Sequence, residues 1–107
     1  MIKVLLSPSA EKDLREIRAY IAQESGDDTI AANQISQITR RLRLLREQPQ
    51  MGPPLTAIIG MVTDYRYLVC GSYYAFYKHS QDAVYIIRIL HCARDFMRIL
   101  FGISNGE

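Results

Sequence analysis

The sequence predicts an α+β fold of order βααβββ. A helical hairpin packs on one face of a small, mainly antiparallel sheet, and a short C-terminal helical turn follows. Three observations carry this. Two segments with apolar residues at helical spacing follow one another across the short connection Ser25–Asp28. Three aromatic and β-branched runs come next, joined by spacers too short for anything but hairpins. Neither helix can bury its apolar stripe in a pair alone, so the sheet must supply a further layer.

The elements follow in chain order. Residues 2–6 are a short apolar run ending at Ser7-Pro8, a strand followed by a helix start. Serine at the N-cap with proline next is favoured, because proline lacks only an amide hydrogen that would be unpaired there. Ala10, Leu14, Ile17 and Ile21 then fall on one helical face among charged residues, and the helix stops near Gly26. Asp27-Asp28 cap a second helix, where their charge suits its positive end. Its stripe is Ala31, Ile35, Ile38, Leu42 and Leu45, and Pro49 stops it. A stretch rich in breakers, residues 48–54, leads to the strands 65–70, 73–79 and 83–90, separated by Gly71-Ser72 and Ser80-Gln81-Asp82. The last strand is apolar on both faces except for Arg88 and is therefore expected at the centre of the sheet. Phe96, Ile99 and Leu100 place a helical turn within residues 94–100.

The chain has 107 residues, which predicts one domain over 1–107. Apolar residues make up 49% and charged residues 22%, the balance of a soluble globular protein with one modest core. No apolar run approaches the ~20 residues of a membrane span. The first residues reach Ser7-Pro8 too soon for a signal-peptide core, so the cytoplasm is the expected compartment. Cys70 and Cys92 are too few for a disulfide framework or a zinc site, and both are expected as small buried hydrophobes. No metal or other cofactor is expected.

The net charge of +2 says little about partners. Residues 54–107 carry Arg66, Lys78, Arg88, Arg94 and Arg98 against Asp64, Asp82, Asp95 and Glu107, so any nucleic-acid role must rest on a local patch. Strict alternation puts Arg66 with Leu68 and Cys70, Tyr74 with Phe76 and Lys78, and Arg88 with Val84, Ile86 and Leu90. If Arg66, Lys78 and Arg88 share the face the helices leave bare, they form a basic patch interleaved with Tyr74. Such a patch suits phosphate neutralisation with base stacking, and equally an acidic peptide. The plainer reading pairs Arg66 and Arg88 with Asp64, Asp82 or Asp95. His91 and Arg94, just past the last strand, can supply a proton donor and a charge clamp, or simply pack and fix the final turn. Arg40, Arg41, Arg43 and Arg46 form the densest positive cluster, at the end of the second helix. There they offset the helix dipole on a solvated face or meet nucleic acid. No catalytic-triad, paired-carboxylate, metal or phosphate-loop signature is present.

Several stretches carry a family resemblance. They are Ser9-Ala10-Glu11-Lys12-Asp13-Leu14 with Ile17 and Tyr20-Ile21, and the run 44–52 with Pro49 and Gly52 three apart. Tyr65-Arg66-Tyr67-Leu68, the Tyr73–Tyr77 strand and the ending Val84–Asp95 complete the set. In order and spacing they resemble the RelE/ParE superfamily of toxins from type II toxin–antitoxin systems, over residues 2 to about 101. The resemblance implies a heteromeric complex with a cognate antitoxin. An amphipathic helix or strand of that partner would cover the apolar groove around the hairpin, with Leu14, Ile17, Ile21 and Ile35, and the exposed sheet edge.

RelE-like members cleave mRNA on the ribosome, and ParE-like members poison DNA gyrase. Arg66 falls where the nucleases carry a lysine and Arg94 where they carry an arginine. Tyr74 stands in place of a second catalytic arginine, and Leu100 about where a C-terminal tyrosine is expected. The ending Ile89-Leu90-His91 with Arg94-Asp95, and the strand Tyr73-Tyr74-Ala75-Phe76-Tyr77, resemble the ParE branch. The implied function is non-enzymatic gyrase inhibition, with Arg66, Tyr74, Lys78, Arg88 and Arg94 as target-binding candidates. One alternative is a ribosome-dependent nuclease using Arg66, His91 and Arg94. Another is a degenerate member that only binds its antitoxin.

Overall fold

A computed structural model of the chain describes residues 2–103. Strand β1 (Lys3–Leu6) leads into helices α1 (Pro8–Ser25) and α2 (Asp28–Arg43) and a 3₁₀ turn, Leu44–Arg46. The short helix α3 (Thr56–Ile59) precedes β2 (Arg66–Cys70), β3 (Tyr73–His79), β4 (Ala83–His91) and α4 (Phe96–Phe101). The sheet order is β1-β4-β3-β2, antiparallel except for the parallel β1–β4 pair. The expected α+β architecture is present, with β4 central.

Local chemistry sets the helix ends. The Ser7 hydroxyl accepts from the Ala10 amide at 2.9 Å, and Pro8 occupies the first helical position. Gly26 closes α1 with φ 69°, its amide donating to the Ala22 carbonyl, a left-handed turn that glycine adopts without steric cost. Asp27 caps α2 by accepting from the Thr29 amide at 2.8 Å. Helix α2 ends at Arg43 rather than running to Pro49, because the chain tightens into the 3₁₀ turn. Leu45 in that turn still lies fully buried in the core.

The hairpin covers one sheet face. Ala10, Ile38, Leu42 and Leu45 pack on Leu68, Ala75, Tyr77, Val84, Ile86 and Ile89. Each buried Leu or Ile there contributes about 2 kcal/mol relative to exposure. The second face is not bare, contrary to expectation. Leu55, Phe76 and Leu90 are buried on it beneath α3 and α4, with Tyr65, Tyr67, Tyr74, Phe96, Leu100 and Phe101 around them. Helix α3 went unforeseen because it is a single turn inside a breaker-rich stretch.

The sheet also departs from strict alternation. Phe76 pairs with Arg88 and the next residue, Tyr77, pairs with Ile86, so Ile87 is an extra residue in β4. Ile86 and Ile89 therefore both face the hairpin, whereas Leu90 faces the other cluster. The N-cap and first turns of α1 take up polar groups of β4 beyond Ile86, where the pairing with β1 has ended. The Ser7 hydroxyl donates to the Ile87 carbonyl at 2.7 Å, and Asp13 accepts from the Ile89 amide at 2.9 Å. The bulge is thus tied to the start of the hairpin.

Candidate functional site

A groove of about 710 Å³ lies between the turn end of the hairpin and the ends of β3 and β4. Helical spacing puts Ile17, Tyr20, Ile21 and Glu24 along its α1 wall, and Ile30 and Gln34 of α2 face them. Tyr73, Ile89, Leu90 and His91 form the strand wall, and Arg94 stands at the rim. Tyr20 is 61% exposed and Ile30 42%, so the groove presents large apolar side chains to solvent. Its two walls differ in charge, with Glu16 and Glu24 on α1 opposite His91 and Arg94. Such a groove suits an amphipathic segment of a partner.

Of the residues proposed for antitoxin binding, Ile17 and Ile21 line this groove. Leu14 and Ile35 do not, and pack partly buried against the main core. His91 and Arg94 are both exposed at the groove. The His91 ring meets Tyr73 edge-on, 5.4 Å between centroids, and its Nδ1 accepts from the Ala93 amide at 3.1 Å. No carboxylate lies within ion-pair distance of His91 among the described residues. Among the described residues no three or more metal-ligating side chains cluster.

The basic patch expected on one open face does not form. Arg66 lies on the hairpin side opposite Tyr77, its Nη1 donating to the Gly52 carbonyl at 2.7 Å and the Gln50 carbonyl at 3.4 Å. Lys78 lies on the other face, 3.6 Å from Asp64 and 4.6 Å from the centre of the Tyr65 ring. Arg88 turns to α1, where its Nε and Nη2 each donate to Asp13 at 2.8 Å. Those two bonds raise the Arg88 pKa above its ordinary value, against the opposing effect of burial. Tyr74 packs edge-on against Tyr67, Phe76 and Phe96 at 5.8, 5.9 and 6.4 Å, not open for base stacking. The β2–β3 register, the pairing of Arg88 with Asp13 and the cover from α3 and α4 are the physical reasons, and none follows from alternation within single strands.

Asp13, Tyr20, Ile30 and Tyr73 belong to the groove and were missed from sequence. Asp13 carried a readable signal: an acid in the apolar stripe between Ala10 and Ile17 requires a cation partner when buried.

The Cys70 thiol is buried, and burial pushes its pKa up against the nearby Arg41 charge. Cys92 is exposed, contrary to expectation. No described helix is long and apolar enough to cross a membrane.

Similarity to known proteins follows the same lines. The structure of a chromosomal ParDE toxin–antitoxin system from P. aeruginosa superposes with a TM-score of 0.72 at 18% identity, covering 85% of this chain and 96% of that one. The E. coli DinJ-YafQ toxin–antitoxin complex gives a TM-score of 0.50 at 18% identity, over 94% of this chain and 98% of that one. At these identities the likeness shows the fold. No functionally curated protein matches the sequence. The sequence profile described as ParE toxin of the type II toxin–antitoxin system parDE matches residues 4–96, nearly the whole described chain. The chain belongs to the ParE toxin family.

Proposed function

We propose that this ParE toxin acts by inhibiting DNA gyrase, and that a cognate antitoxin silences it by occupying the groove between α1, α2 and the end of β4. The observation that carries the first part is the fate of the residues a RelE-like nuclease would use. Tyr74 and Leu100, at two of those positions, belong to the aromatic cluster under α4. Arg66, at a third, spends its guanidinium on the Gly52 and Gln50 carbonyls. Without a cluster of free cations and a tyrosine, little remains to stabilise a phosphorane-like charge or protonate a leaving oxygen. Supporting the second part, the groove leaves Tyr20 and Ile30 exposed to solvent, and burying such side chains drives association.

One observation favours a second reading. His91 and Arg94 stand exposed together at the groove rim, where an acid and a clamp for mRNA cleavage would be accessible. Inducible expression in a bacterial host separates the two. Filamentation with damaged nucleoids and intact transcripts is the expected outcome. Codon-position mRNA cleavage with normal nucleoids would move the activity to the ribosome. Normal growth with retained antitoxin binding would leave a protein that only binds its antitoxin.

A further inference from the structure

The entire net positive charge of the chain sits on one short stretch. Between Asp28 and Asp64 the sequence carries Arg40, Arg41, Arg43 and Arg46 against a single acid, Glu47, a net +3. The rest carries nine cations and ten acids, a net −1. All four arginines are exposed, on the last turn of α2 and the 3₁₀ turn behind it. The helix dipole places about half a negative charge there, which accounts for one arginine but not for four. Among the described residues no acid lies within ion-pair distance of any of them. Only Arg41 is engaged among the described residues, its Nε donating to the Val69 carbonyl of β2 at 3.1 Å. Arg40 and Arg43 share a helix face one turn apart, and Arg46 continues the row to a length of about 9 Å at helical rise.

We propose that this row binds the phosphate backbone of duplex DNA without reading base sequence. Exposed guanidiniums pair with phosphate oxygens bidentately and give affinity that is independent of sequence and steeply dependent on salt. Residues 29–63 contain no aromatic side chain. Tyr73, which lines the cleft beside Arg40 and Arg41, has its ring against His91. The row therefore lacks a free platform for stacking unpaired bases and fits a duplex backbone better than single-stranded RNA. It lies at the opposite end of α2 from Ile30 and the groove, so a toxin with its groove filled still presents it. The proposal rests on charge and exposure and stands or falls independently of gyrase as the target.

The test is fluorescence anisotropy of the purified full chain with a labelled random-sequence duplex, titrated from 50 to 200 mM salt. Three phosphate contacts give a slope of log affinity on log salt near about −2.7, a loss of about 40-fold across that range. The variant Arg40→Gln/Arg43→Gln/Arg46→Gln is expected to bind at least about tenfold more weakly at 50 mM salt, with most of the slope gone. Replacing the same three by lysine is expected to keep the slope. Lys3→Gln/Arg15→Gln/Arg18→Gln removes equal charge elsewhere and is expected to change binding little. Unchanged binding by the first variant, or equal loss in the last, would overturn the assignment. So would patch-dependent binding of single-stranded RNA tighter than that of the duplex.

Discussion

Asp13 on α1 and Arg88 on β4, 75 residues apart in sequence, form a two-point ion pair, with both nitrogen–oxygen distances at 2.8 Å. The same carboxylate also accepts the Ile89 amide at 2.9 Å. One buried side chain thus satisfies both the cation and a backbone amide of β4 past the end of β1, immediately before the strand delivers His91 to the groove. Asp13→Ala leaves a partly buried guanidinium and a buried amide unpaired, and is expected to cost about 3 kcal/mol. Urea denaturation measures it. Asp13→Leu with Arg88→Leu is expected to recover most of the loss, because the amide then remains the only unmet group. A loss below about 1 kcal/mol for Asp13→Ala would show that the pair does not hold the bulge.

Tyr77 anchors the loop before β2. Its hydroxyl donates to the Pro49 carbonyl at 2.8 Å and accepts from the Gly52 amide at 2.9 Å. A Cβ on Gly52 would collide with the Tyr67 carbonyl and the Tyr77 ring, so Gly52→Ala is expected to destabilise by about 3 kcal/mol. Burial pushes the Tyr77 phenol above its ordinary 10.0, against the Gly52 amide and the Arg66 charge. The folded state thus keeps a proton that the unfolded chain releases near that pH. The resulting stability is complete below about pH 10 and is lost as pH rises through the folded value. Chemical denaturation at pH 9 and 11 should show a decline that is smaller in Tyr77→Phe; equal declines would place the effect elsewhere.

The fold was largely legible in the sequence, because its signals are local. Ser7-Pro8, Gly26 and Asp27 mark helix ends by side-chain and backbone chemistry, and the structure uses each of them as a cap. Patterning failed where one inserted residue or one turn of helix decides the outcome. Ile87 resets which residues of β4 face the hairpin, and no local property of that apolar run announces it. The proposed shared face of Arg66, Lys78 and Arg88 failed because the β2–β3 register pairs Arg66 with Tyr77, on the face opposite Lys78, and Arg88 turns to Asp13, while Tyr74 lost its exposure because α4 folds back over it. The groove was half legible: Ile17 and Ile21 follow from the α1 stripe, whereas Tyr73 and His91 reach it only through the β3–β4 pairing.

The two thiols should separate cleanly. Cys92 is exposed, and Cys70 is 3% exposed with its pKa raised from 9.0 by burial. In the native protein at pH 8, a thiol-reactive dye is expected to label Cys92 rapidly and Cys70 only on unfolding. Equal native rates would mean that the β2 end of the core opens readily.

Tyr20 provides the probe of the groove. At 61% exposure its removal is expected to change stability by no more than about 0.5 kcal/mol. Calorimetric titration of Tyr20→Ala with the cognate antitoxin is nonetheless expected to show affinity about tenfold or more weaker, since tyrosines in apolar grooves are common hot spots. Unchanged affinity would move the antitoxin off this groove.

The most direct measurement is supercoiling of relaxed plasmid by purified gyrase with and without the purified toxin, repeated after adding the antitoxin. Inhibition by the toxin, its reversal by the antitoxin, and unchanged inhibition by His91→Ala are the expected results. Supercoiling that proceeds unaffected, together with mRNA cleavage on ribosomes that His91→Ala abolishes, would contradict gyrase inhibition and make His91 a catalytic residue.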